Sequence, residues 1–310
     1  MQTEKVNIIS MKNSYLLRLH LIVFLWGFTA ILGKMISADA HVLVFYRMSF
    51  AAVFLYLYLR LIKKESIKIT KSLLWKLVGI GSVMAFHWLF FFQSIKVSNV
   101  SIALSCLSLS TLFASLIEPL VFKRKPDWVE VIIGLIIVVC ISMIFNAEIK
   151  YKEGIIYGIL CALFGTIFSV FNGKIFGKTS SGNIIFYEIA GGWLVLSLFY
   201  VFSGQISSIG EISYTDIALI VLLASVFTAY PMFESVRLMK FISPFTLILT
   251  VNLEPVYGII LAFFIFGASE HMSPVFYAAS LVMIISIVIN GVIKSRRRKE
   301  NSSITDTNPS

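Results

Sequence analysis

The chain has 310 residues, 58% of them hydrophobic and only 14% charged, with a mean hydropathy of +0.90 and a net charge of +10. A soluble protein of this length could not hide that much apolar surface, so a soluble fold is excluded and an all-α integral membrane protein is expected. The excess of lysine and arginine does not point to nucleic acid, because it is dispersed at the ends of apolar stretches and not gathered into a footprint.

Ten apolar stretches are each near the ~20 residues that cross a ~30 Å hydrocarbon core. They are predicted as spans 1 to 10 over 16–36, 41–62, 73–95, 99–122, 128–146, 154–173, 183–203, 214–236, 244–266 and 274–293. With the N-terminus in the cytoplasm, 21 of the 26 lysines and arginines fall on cytoplasmic segments, leaving Lys34, Lys96, Lys150 and Lys152 near the other side and Arg47 inside span 2. This is the positive-inside pattern, and it predicts a multi-pass protein of the cytoplasmic membrane with both termini cytoplasmic. The basic tail at Arg296-Arg297-Arg298 then reads as an orientation anchor that can touch anionic lipid. Residues 1–14 and 294–310 read as unordered tails, and 147–153 as an external linker.

Along the chain, span 1 carries Trp26, Thr29 and Gly33 in similar phase; the glycines also suit close helix packing. Ala38-Asp39-Ala40 resembles a signal-peptidase site, but the preceding apolar stretch is too long for a signal core, so span 1 is expected to stay. Arg47 lies six residues into span 2, a candidate for a gate contact or a snorkelling end anchor. Span 3 holds His87, a candidate proton relay or a packed hydrogen-bonder, with Phe91 its best-phased aromatic partner.

Span 4 places Ser101, Ser105, Ser108, Thr111, Ser115 and Glu118 at spacings of 4, 3, 3, 4 and 3, one face of a single helix. Such a stripe lines an aqueous path or lets helices pack closely. Glu118 sits near the cytoplasmic end, one turn before Lys123 and Arg124, as a gate or end-anchoring ion pair. Asp127 with Glu130 resembles a capping box, and Ser243-Pro244 and Ser273-Pro274 resemble helix starts. Thr166, Ser169 and Asn172 form a polar face on span 6, and Glu188 lies five residues into span 7 near the inner face.

Span 9 carries Thr246, Thr250, Glu254 and Tyr257 at spacings of 4, 4 and 3. Glu254 is ten residues in, about 15 Å deep at 1.5 Å per residue, near the bilayer midplane. Pro255 follows it and breaks the helix ladder there. An ionisable group beside a helix break at the midplane is a common transporter-site geometry; the alternative is a structural glutamate bonded to a neighbouring helix. Cys106, Cys140 and Cys161 lie inside spans without metal-ligand spacing and read as buried apolar residues. No nucleophile–base–acid set, phosphate loop or metal motif is present, so neither an enzyme nor a cofactor is expected.

The two halves echo each other. Phe45-Tyr46-Arg47 returns as Phe186-Tyr187-Glu188, and Phe92-Gln93-Ser94-Ile95-Lys96 as Phe233-Glu234-Ser235-Val236-Arg237, both 141 positions on. Ser142 and Asn146 return as Ser286 and Asn290 at an offset of 144. Five spans per half predict ten transmembrane helices as two inverted five-helix repeats, 15–146 and 154–293. Arg47 and Glu188, repeat-equivalent with opposite charge, are then expected at opposite ends of the molecule.

Ten spans in two repeats, Trp26-Gly27 in span 1, Arg47 in span 2, Ser94-Ile95-Lys96 ending span 3 and Pro255 in span 9 together resemble the drug/metabolite transporter superfamily, in its EamA-like branch. The departures are Thr111, where many members carry proline, and Arg124 and Ala268, where many carry glutamate. The resemblance implies a small-metabolite permease, often an exporter, with a central cavity lined by spans 1, 3, 4, 6, 8 and 9. The expected cavity residues are Trp26, Thr29, His87, Phe91, Ser105, Ser108, Thr111, Asn172, Glu254 and Tyr257, with Glu254 and His87 as proton-coupling candidates and Arg47, Glu118 and Glu188 as gate or end-anchor candidates. The expected activity is secondary transport of a small metabolite such as an amino acid, by alternating access, with protons as a candidate coupling ion. An uncoupled facilitator is the alternative, and a membrane scaffold or receptor the third reading. The expected partners are a small solute and the lipid bilayer; substrate, direction and oligomeric state are open.

Overall fold

The structure is a computed structural model that describes residues 2–210, 212–238, 241, 250, 251 and 253–306. Among these the chain is helical, and nine helices are long and apolar enough to cross a membrane. We number the α-helices α1 (Gln2–Met35), α2 (Ala40–Leu57), α3 (Lys71–Val97), α4 (Val100–Cys106), α5 (Ser110–Phe122), α6 (Trp128–Ala147), α7 (Lys152–Ile175), α8 (Ser181–Ser203), α9 (Tyr214–Ala224), α10 (Tyr230–Leu238), α11 (Glu254–Phe266) and α12 (Pro274–Asp306).

Helix starts follow local chemistry. Thr70 accepts from the Leu73 amide at 3.3 Å, Asn99 from Ile102 at 2.9 Å, Ser180 from Asn183 at 3.2 Å and Ser213 from Asp216 at 3.0 Å. Two predicted caps are present: Ser273 takes the Phe276 amide at 3.2 Å and Asp127 the Val129 amide at 3.0 Å. The Ser243-Pro244 start and Thr246 lie outside the described residues, so span 9 is described only in part.

Three spans are not straight. Span 4 divides into α4 and α5 at a 3-10 turn, Leu107–Leu109, which interrupts the single polar face expected from its spacing. Span 8 divides into α9 and α10 at a π turn, Ser225–Ala229, and α2 ends in another, Tyr58–Ile62. The tails also differ from expectation: α1 begins at Gln2 and α12 continues to Asp306. No proline or glycine interrupts the chain from Gln2 to Trp26 or from Val292 to Asp306, so each spanning helix can propagate outward.

The helix α3 packs along both α7 and α8, α1 along α11, and α6 along α12. The main core joins α1, α2, α3, α4, α8 and α9, and a second joins α4, α6, α7 and α12. Glycines set the closest crossings. A Cβ on Gly27 would come 3.0 Å from the Gly258 amide, where α1 crosses α11. One on Gly81 would overlap the carbonyl of Glu188, where α3 crosses α8.

Candidate functional site

Residues from both halves meet in the middle of the bundle. Arg47 in α2 is 4% exposed, and its Nε donates to Oγ1 of Thr228 in the π turn at 2.9 Å. Its guanidinium lies over Trp88 in α3, 3.8 Å from the ring centroid, with Phe92 at 5.3 Å. Glu254 lies within electrostatic reach of Arg47 but beyond ion-pair distance. At 1.5 Å per residue, Arg47, Trp88 and Glu254 lie about 10, 14 and 18 Å from their helix ends on the Lys34 side. The arginine therefore does not snorkel but is a buried cation held on Thr228 and Trp88, within electrostatic reach of a carboxylate from the other half of the chain.

The helix break expected at Pro255 falls directly at Glu254. Leu253 donates its amide to Thr250 at 3.0 Å in a turn, and α11 starts at Glu254 with the proline in its first turn. One turn further on, Gly258 approaches both Gly27 and Leu104, so the start of α11 is packed between α1 and α4. His87 places Nδ1 2.8 Å from the Cys161 carbonyl and 3.3 Å from its sulfur. The carbonyl can only accept, so Nδ1 carries the hydrogen and Nε2 is left as the acceptor. Ser105 in α4 is buried with its hydroxyl unpartnered.

Other predicted residues lie apart from this group. Trp26 and Tyr257 each pack against the Leu19, Ile22 and Val23 cluster of α1, and the Tyr257 hydroxyl meets His20 Nδ1 at 2.9 Å. Thr29 is buried and bonds back to Leu25 at 3.4 Å. Phe91 is buried in the main core against Phe92. Ser108 is buried in the 3-10 turn, and Thr111 is partly buried one turn beyond Leu107. Glu118 pairs with Arg124 at 2.8 Å, both partly exposed. Asn172 donates to Glu188 at 3.2 Å, and Glu188 is buried. Arg47 and Glu188 are not at opposite ends: α3 touches Glu188 at Gly81 and Arg47 at Trp88, seven residues or about 10 Å further along.

Sequence spacing did not reveal the seal at the Lys34 end. Glu270 is 1% exposed and takes Lys34 Nζ at 2.6 Å, the Val100 amide at 3.1 Å, and the Ser101 amide and hydroxyl at 3.0 and 2.7 Å. It thus caps α4 from about 170 residues away. Asp216 accepts from Ser37 and Ala38, Glu148 from the Ser273 amide, and Lys96 donates to the Ile36 carbonyl. The available signal was an acidic residue at each connection, and its partner was not legible. At the other end Glu234 meets Arg18 at 3.7 Å and Arg237 at 3.4 Å beside a cavity of about 260 Å³.

Residues 13–146 match the EamA-like transporter family. The EamA-like segment runs from α1 into α6, so it supplies Arg47, His87, Trp88 and Ser105, while Thr228 and Glu254 come from beyond it. A crystal structure 14% identical in sequence superposes with a TM-score of 0.62, covering 91% of this chain and 99% of that one. The shared fold therefore extends past the EamA-like segment into the second half. No curated protein matches the chain. The molecule is a multi-pass helical membrane protein with an EamA-like first half.

Proposed function

We propose that the protein is a secondary transporter of the cytoplasmic membrane, with both termini cytoplasmic, that moves a small metabolite by alternating access. The observation that carries this reading is the buried meeting of Arg47 and Thr228 over Trp88, within electrostatic reach of Glu254, at mid-bundle. Intramembrane charges are costly, and they recur where a polar solute or ion passes. A fixed cation and a carboxylate beside an aromatic face suit a zwitterion: Arg47 takes its carboxylate, Glu254 its ammonium, and Trp88 its apolar part. An amino acid or related compound is the proposed substrate class.

Two inverted five-helix repeats would give this site its alternating access. The helix breaks support that reading: α5 starts at Ser110 and α11 at Glu254, 144 positions apart, the same offset that relates Ser142 to Ser286. The bonded Lys34 end and the cavity at the Arg18 end suit a state closed on one side, and export is the proposed direction.

The test is a thermal-shift screen of metabolites on the purified protein, since a bound solute raises apparent stability. A zwitterion that shifts wild type and not Glu254→Gln supports the site. A solute that binds and crosses equally well in Glu254→Gln removes Glu254 from it. Transport in liposomes that ignores an imposed proton gradient would select the uncoupled facilitator.

A further inference from the structure

Glu188 in α8 lies seven residues past Ser181, about 10 Å into the helix. It is 1% exposed. Its Oε2 accepts from Asn172 Nδ2 of α7 at 3.2 Å, while its Oε1 is buried with no hydrogen-bond partner.

Among the described residues, the elements around it supply no ion-pair partner. From α7 the facing polar group is Asn172, and Lys174 further on is exposed. From α3 come Val78 and Gly81, packed against α8. From α2 comes Met48 against Gly192, while Arg47 is held on Trp88 and Thr228 about 10 Å along the bundle. On α10, Glu234 is engaged by Arg18 and Arg237. Among the described residues, no ion pair reaches Glu188, and its side-chain hydrogen-bond partner is Asn172.

An ionised carboxylate offers about four lone-pair sites, and one amide donor falls far short of filling them. Buried and without a cation, the charged form is the costly one, whereas a neutral acid needs much less. A solute does not fit beside it. A Cβ on Gly81 would overlap the Glu188 carbonyl, and one on Gly192 would overlap the Gly81 carbonyl, so α3 and α8 touch backbone to backbone there.

We propose that Glu188 is a proton-binding site, separate from the Arg47–Glu254 site, at the seam of α3, α7 and α8. Asn172 donates to Oε2 and so leaves Oε1 to carry the proton. When α3 and α8 part and water reaches the seam, the Oε1–H bond breaks, the proton passes to water, and a hydrated carboxylate remains. The same α3 carries His87 and Trp88, so loosening the seam moves one wall of the central site. Proton occupancy and solute access are thereby linked. The link to solute rests on the transporter reading above, whereas the protonation does not.

Infrared spectroscopy of the protein in lipid at neutral pH tests the protonation without any substrate. The C=O stretch of a protonated carboxyl, shifted on exchange into D2O, should be present in wild type and lost in Glu188→Gln. If that variant does not fold, Glu188→Asp should move the band. No change of the carboxyl band in a folded variant overturns the proposal. For coupling, a zwitterion found in the screen should shift the melting temperature of Glu188→Gln as in wild type and still exchange in counterflow. An imposed pH gradient should no longer drive its uptake. A gradient response equal to wild type, or loss of the solute shift, overturns the separate proton site. Absence of any solute shift in wild type would overturn the transporter reading and leave the infrared result standing.

Discussion

The guanidinium of Arg47 rests on the indole of Trp88, 3.8 Å from its carbon to the ring centroid. The two residues come from neighbouring helices of the EamA-like half, and the acid within electrostatic reach of Arg47, Glu254, comes from the other half. A planar cation can stack on an aromatic face and still donate in its own plane, here from Nε to Thr228 at 2.9 Å. Lysine can do one or the other.

Arg47→Lys is therefore expected to lower stability by about 2 kcal/mol, and Arg47→Ala by about 3 kcal/mol because it also removes the cation within reach of the half-buried Glu254 carboxylate. The loss from Arg47→Ala should shrink in a Glu254→Gln background. Thermal unfolding of the four proteins of the cycle measures this, and equal losses in both backgrounds would show that the two charges are not coupled.

Glu270 and Lys34 form a pair that is buried on the acid side, with side-chain exposures of 0% and 23%. Glu270→Ala removes the partner of Lys34 and the cap of α4 together, so a loss of about 3 kcal/mol is expected. Glu118→Ala breaks the partly exposed pair with Arg124 and should cost under about 1 kcal/mol. Added salt should weaken the second pair and leave the first nearly untouched; an equal salt response of both would contradict the burial difference.

Two glycines two positions apart in α3 make a controlled pair. A Cβ on Gly79 meets nothing within 4 Å, whereas one on Gly81 overlaps the Glu188 backbone. Gly79→Ala should be neutral or stabilising by up to about 1 kcal/mol. Gly81→Ala should destabilise by at least about 1–3 kcal/mol as α3 and α8 are forced apart. Similar melting temperatures for the two variants would rule out this close approach.

The charge distribution predicts sidedness. A single cysteine placed at Lys152, in a chain whose native cysteines are replaced by serine, should react with an impermeant thiol reagent added outside intact cells. A cysteine placed at Lys68 should react only after the cells are opened. Labelling of Lys68→Cys in intact cells would reverse the topology.

Much of the architecture was legible in the residues. Apolar length located nine spans among the described residues, and Asp127 and Ser273 marked helix starts by their own side-chain chemistry, whereas the caps at Thr70, Asn99 and Ser180 were not singled out. The break at Glu254-Pro255 was legible because proline lacks the amide that continues a helix. The 3-10 turn at Leu107–Leu109 was not, since its residues are ordinary helix formers and the bend arises from packing. The candidate site was legible only in part: Glu254 stood out as a charge expected near the midplane, but Arg47 read as a gate contact or an end anchor.

What the sequence by itself determined is a helical membrane protein and, among the described residues, nine of its spans, because apolar length and local capping are properties of neighbouring residues. What only the tertiary structure decided is which polar groups meet. Helical periodicity assigns a residue to a face of its own helix and says nothing of what that face is turned toward. Lys34 finds Glu270 across 236 positions and Arg47 finds Thr228 across 181. These pairings exist because the packed helices exclude water, and within that dry interior each buried charge must be satisfied by whatever the fold brings beside it.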